Sequence, residues 1–80
     1  MITNNILEFL EYLRLRGIER GYFMAATIDD HLKHVRIDFI DKSDIVIGHI
    51  YATFDSINKT DTPIHFALKL FNEMEESADG

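Results

Sequence analysis

The sequence predicts an α+β domain of order α-β-β-β-α, two helices covering one face of a three-stranded antiparallel meander. Apolar residues recur at helical spacing near both ends of the chain. Between them, three segments alternate apolar and polar residues with period two and are joined by short polar turns.

From Ile2 to Leu15 the stripe is Ile2, Ile6, Phe9, Leu10 and Leu13, with Leu7, Tyr12 and Leu15 off it. Thr3 or Asn4 is placed to cap the start, and Gly17, after the basic Arg14 and Arg16, to stop the helix. The first strand spans Glu19 to Asp29, where Tyr22, Met24, Ala26 and Ile28 form an apolar face alternating with Phe23, Ala25 and Thr27. Asp29 to Lys33 is a polar turn. His34 to Asp41 alternates Val35, Ile37 and Phe39 with His34, Arg36 and Asp38; Asp41 to Asp44 turns the chain, and Ile45 to Phe54 is the third strand.

A two-residue Lys42-Ser43 loop sets Val35 against Ile50, Ile37 against Gly48 and Phe39 against Val46. A longer loop of the same parity keeps these faces together, whereas a slip by one residue brings His49 and Tyr51 onto the apolar side. Gly48, on the helix-covered face, is expected to admit a helix closely. Asn58 to Thr62 is a polar connector. Thr62-Pro63 opens the last helix, whose stripe is Ile64, Ala67, Leu68, Phe71 and Met74, widened by Leu70. The chain is one domain, residues 1–80, with 76–80 expected as a frayed tail.

Composition narrows the function. Without Cys there are no disulfides and no thiolate zinc sites, which suits a reducing compartment. No basic-then-apolar leader opens the sequence and no apolar run approaches about 18 residues, so the expected location is cytoplasmic and no membrane contact is expected. The net charge of −6, fourteen acids against eight bases, opposes direct binding to nucleic acid, which needs Lys and Arg to displace counterions. The acidic excess beyond Asp29 suits a protein partner with a basic surface.

Material for catalysis is thin. Asp29, Asp30, His31 and His34 are all competent zinc ligands, but they lack the spacing of a zinc motif. His34, His49 and Tyr51 can carry protons, but a solvated sheet face accounts for them as well. No serine sits in a G-x-S-x-G turn, and the glycines form no phosphate-cradling loop. The expectation is a non-enzyme with no cofactor and no metal.

The sheet face away from the helices is the better candidate. It is expected to display Phe23, Arg36, Asp38, Ile47, His49 and Tyr51, a mixture of large apolar, aromatic and charged residues typical of interfaces. An acidic rim is expected beside it: Asp29, Asp30, Asp38, Asp41 and Asp44 along one side, and Glu73, Glu75 and Glu76 at the end of the last helix.

The α-β-β-β-α order resembles that of double-stranded RNA-binding domains. Those domains dock a basic start of their last helix on phosphates, and Thr62-Pro63-Ile64-His65-Phe66 offers no Lys or Arg there. In size, acidity and layout the chain is also similar to small phage-encoded inhibitors, anti-CRISPR proteins and DNA mimics among them. That resemblance implies a compact acidic domain occupying a basic, nucleic-acid-binding surface of a larger host protein. The alternative is a homodimeric structural or regulatory accessory module assembling through the outer sheet face. A metal-dependent enzyme using Asp29, Asp30, His31 and His34 is the weakest.

Overall fold

The structure, a computed structural model, describes residues 2–79, and of residues 78 and 79 the backbone course alone. Its order is α1 (Asn4–Glu19), β1 (Phe23–Asp29), β2 (His34–Ile40), β3 (Val46–Thr53), α2 (Phe54–Lys59) and α3 (Pro63–Asp79). The α+β class and the antiparallel meander are as the sequence predicts, with one additional short helix.

Thr3 caps α1, its Oγ1 accepting the Ile6 N–H at 3.3 Å. Gly17 does not stop the helix. The chain leaves it at Gly21, which has φ +79°. There the Gly21 N–H donates to the Ile18 carbonyl at 2.9 Å and the Tyr22 N–H to the Gly17 carbonyl at 2.8 Å. A left-handed residue just past a helix closes its last carbonyls in this way, and glycine adopts that conformation without steric cost. Residues 19–22 are consumed by this ending, so β1 begins at Phe23 rather than Glu19. Gly17 is instead a close-packing position: a Cβ there would lie 2.7 Å from Phe39 Cε1.

The sheet runs β1-β2-β3 with β2 in the centre. Asp29 pairs with His34 across the first turn, and its Oδ1 accepts the N–H groups of His31 at 2.9 Å and Leu32 at 2.8 Å. In the second hairpin Val35 faces Ala52, Ile37 faces Ile50 and Phe39 faces Gly48. This is two residues beyond the two-residue-loop register but of the same parity, so the apolar faces still meet. The loop holds three residues: the Asp41 N–H donates to the Ile45 carbonyl at 2.9 Å, and Asp44 takes φ +62°.

Between Phe39 and Ile40 the register breaks, and Ile40 pairs with Val46. The extra residue on β3 is a bulge. It corrects two expectations. Val46, expected against the helices, turns to the outer face and is 59% exposed; Ile47, expected on the outer face, is half-buried against the core.

α2 occupies the start of the stretch read as strand end and connector. Thr53 caps it by accepting the Ser56 N–H at 3.1 Å, and Asp55 pairs with Lys59 one turn on at 2.9 Å. Phe54 and Ile57 are thereby driven into the core. α3 starts at Pro63 as expected and continues to Asp79, through most of the segment read as a tail; Gly80 lies outside the described residues.

The core joins Ile6, Phe9 and Leu13 of α1, Val35, Ile37 and Phe39 of β2, Ile50 and Ala52 of β3, and Ala67, Phe71 and Met74 of α3 to the two α2 residues. Phe39 lies at its centre, edge-on to Phe71 with ring centroids 5.3 Å apart. The helix layer does not cover the whole sheet. Met24 is half-buried, but Ala26 and Ile28, on the same side of β1, are exposed.

Gly48 fulfils its expected role. A Cβ there would stand 2.6 Å from Met74 Cγ, so α3 rests on a strand lacking a side chain at that point. Gly48→Val is expected to overpack this contact and lower stability by about 1–3 kcal/mol, and Met74→Ala in the same chain to recover part of the loss. Urea denaturation midpoints of the three proteins check this; an unchanged midpoint for Gly48→Val would contradict the packing.

Candidate protein-binding surface

The sheet register arranges the outer face in rows across all three strands. Phe23, Ile40 and Val46 form an apolar row at one end; Ala25, Asp38 and His49 follow, then Thr27, Arg36 and Tyr51, then Asp29, His34 and Thr53. No described helix covers this face, because α1 and α3 pack on the other. Phe23 is 64% exposed and Tyr51 55%.

The Tyr51 ring lies against His34 in a tilted contact, 4.6 Å between centroids, with its hydroxyl 2.9 Å from His34 Nε2. Arg36 stands opposite Tyr51 and reaches Asp38 at 3.4 Å. This face therefore brings together Phe23, Arg36, Asp38, His49 and Tyr51 of the expected site. It does not include Ile47; Val46 takes that place. No pattern in the sequence marks a bulge one residue inside β3, because Ile45, Val46 and Ile47 are all apolar and either alternation fits them.

The acidic rim is rearranged. Asp29, the last residue of β1, and Asp30, in the turn after it, lie at the opposite end of β2 from Asp41 and Asp44, so these acids do not form one row. Asp29 is engaged with turn amides, and Asp41 likewise accepts the N–H groups of Ser43 at 2.8 Å and Ile45 at 3.0 Å. Asp30 pairs with Lys33 at 3.4 Å.

Glu75, expected to face a partner, is half-buried and engaged by the chain's own residues at the surface. Its carboxylate receives Nε and Nη2 of Arg20 at 3.0 and 3.2 Å, and the Tyr22 hydroxyl lies 3.4 Å away. Hydrogen bonding to this carboxylate raises the Arg20 guanidinium above its ordinary value, so the cation stays charged. Arg20 also shares a hollow with Asp41 and Lys42. It thus places the acidic end of α3 beside the β2–β3 turn with Asp41, at the opposite end of the sheet from Asp29 and Asp30.

Six ion pairs among the described residues engage six of the eight bases. Asp44, Glu73 and Glu76 are in none of them. Lys42 and Lys69 are in none of them either, so around the β2–β3 turn and the end of α3 the acids Asp41, Asp44, Glu73, Glu75 and Glu76 stand against Arg20 and Lys42, an excess of carboxylate. Between the β3 edge and α3 lies a groove of about 440 Å³, bounded by Ile47, His49, Leu70 and Met74, with Glu73 on its rim. Sequence reasoning did not anticipate it, since it depends on how far α3 sits from the strand edge.

Among the described residues, no group of three or more His, Asp or Glu side chains is placed to hold a metal ion, and no helix is long and apolar enough to cross a membrane. No protein-family model matches the chain, and comparison with curated proteins and with solved structures returns no match.

Proposed function

We propose that this chain is a protein-binding domain that lays its uncovered sheet face on a basic, nucleic-acid-binding surface of a larger protein, and that it acts by occupancy rather than by catalysis. One observation carries the reading. Phe23, Val46 and Tyr51, from the two edge strands, stand exposed on a face that no described helix covers, with Glu73, which is in none of the ion pairs above, in the groove beside Tyr51.

The physical division of labour follows from the chemistry. Aromatic and apolar side chains in the centre of such a face supply most of the binding energy, with Arg36 as an additional anchor. Asp44, Glu73 and Glu76 steer a cationic surface toward the face, because long-range attraction acts chiefly on the encounter rate. Carboxylates and phosphates accept the same forked hydrogen bonds from Arg, so a surface that binds phosphate also accepts this domain.

The test is capture of a partner from lysate by the tagged protein, followed by comparison of two variants against it. Val46→Asp combined with Tyr51→Ala should abolish retention while leaving the fold intact, since both residues are exposed. Asp44→Asn with Glu73→Gln and Glu76→Gln should slow association and flatten its dependence on salt, with little change in stability. Retention unaffected by the Val46 and Tyr51 changes would reject the sheet face as the site.

A further inference from the structure

β1 is the least protected element of the fold. It is an edge strand paired only with β2, and among the described residues no turn, loop or cap makes a backbone bond to residues 23–29. Alternate N–H and C=O groups along it are therefore directed away from the sheet. From Phe23 to Ile28 it carries no charged residue, no Pro and no bulge, the devices that usually blunt an edge. Its two faces are bare as well: Phe23, Ala25 and Thr27 on the outer side, Ala26 and Ile28 on the helix side. β3, the other edge, differs in each respect, with a bulge near its start, α3 alongside and Glu73 on the rim.

Coverage of β1 is uneven along its length. Met24 is packed against the core, whereas Ile28 at the far end is 41% exposed. Antiparallel pairing with an identical strand about a two-fold axis sets the covered end of each copy beside the bare end of the other. An axis perpendicular to the sheet keeps like faces on the same side, so it passes between two copies of one residue. With Ala26 on the axis, Met24 faces Ile28, Ala25 faces Thr27, and Phe23 faces Asp29. Apolar meets apolar on the helix side, and no like charges oppose one another.

We infer that two copies of this chain pair through β1 to form a two-fold dimer with a continuous six-stranded sheet. Full pairing closes about six to eight backbone hydrogen bonds and sets the bare Ala26 and Ile28 beside the other copy's Met24. A cationic foreign strand suits this edge less well, because its only acid, Asp29, lies at the end. Assembly stops at two copies: both edges of the joined sheet are then β3, bulged and flanked by acid. The inference goes beyond the binding proposed above, and it places both uncovered faces on the same side of the dimer.

The chain has no Cys, so a single introduced thiol reports one contact cleanly. Directly opposed residues in antiparallel strands have Cα atoms about 4.5–5.5 Å apart, within the roughly 4.4–6.8 Å that a disulfide spans. Under mild oxidation Ala26→Cys is expected to yield a covalent dimer and His49→Cys, on the β3 edge, to remain monomeric. In sedimentation the native chain should run at twice the monomer mass and Ala26→Lys at the monomer mass, with the same circular dichroism. Should Ala26→Lys fail to fold, amide exchange decides on the native chain: residues 24–28 exchange more slowly as concentration rises. A native chain that stays monomeric into the millimolar range, cross-linking at His49→Cys instead of Ala26→Cys, or β1 exchange independent of concentration would each overturn the inference. None of these measurements involves a captured partner, so they stand or fall separately from the sheet-face proposal.

Discussion

Phe39→Ala is expected to be the most damaging single substitution, lowering stability by about 3–5 kcal/mol. The ring is fully buried and is packed by Gly17 of α1, Tyr22 and Phe71, so it joins β2 to both long helices at once. Removing it leaves a cavity whose walls are three different elements and cannot all close inward. A domain of this length has a total stability of roughly 4–12 kcal/mol, so the variant should be largely unfolded well below the melting temperature of the native chain. Thermal melts by circular dichroism check this. A shift of only a few degrees would mean that Phe39 is not the centre of the core.

The second large effect is expected at Gly17, and its sign is the informative part. In an ordinary helix interior, replacing Gly by Ala gains about 0.5–1 kcal/mol through reduced backbone entropy in the unfolded chain. Here a Cβ would meet Phe39 at 2.7 Å, and that ring is confined by Tyr22 and Phe71. Gly17→Ala should therefore destabilise instead of stabilise, and Gly17→Val should cost about 1–3 kcal/mol more through overpacking. Chemical denaturation of both variants measures this. A more stable Gly17→Ala protein would show that α1 does not approach β2 this closely.

Gly17 also illustrates how legible the fold is in the sequence. A glycine after two arginines has the local chemistry of a helix stop, and nothing nearby distinguishes it from Gly21, four residues on. What distinguishes them is Phe39, more than twenty residues away, which requires the close approach that Gly17 permits. Local patterns were sufficient where one face is buried along a whole element: the α1 stripe, the β2 alternation and the Thr62-Pro63 start of α3. They also preserved the parity of the second hairpin, because a one-residue slip would have exposed Val35, Ile37 and Phe39.

The other departures have equally specific causes. α2 is six residues long, too short for periodicity to reveal, although Thr53 three residues before Ser56 and Asp55 four before Lys59 are its cap and its ion pair. The bulge at Ile47 lies in an apolar run with no alternation to violate. Of the candidate site, the residues on the sheet face were legible because strand parity fixes their side. The carboxylates were less so: whether an acid is free depends on a neighbour that sequence does not place, as Arg20 beside Glu75 shows. The exposed helix-side face of β1 was likewise invisible, since Met24, Ala26 and Ile28 read as core whether or not a helix reaches them.

The central claim is that the uncovered sheet face occupies a surface its partner uses for nucleic acid. Competition tests it most directly, with the captured partner, a labelled oligonucleotide that the partner binds, and increasing amounts of this protein at low and moderate salt. The oligonucleotide should be displaced fully and stoichiometrically by the native chain, less readily as salt rises, and not at all by the Val46→Asp, Tyr51→Ala double variant. A ternary complex in which partner, oligonucleotide and native chain remain bound together would contradict the account.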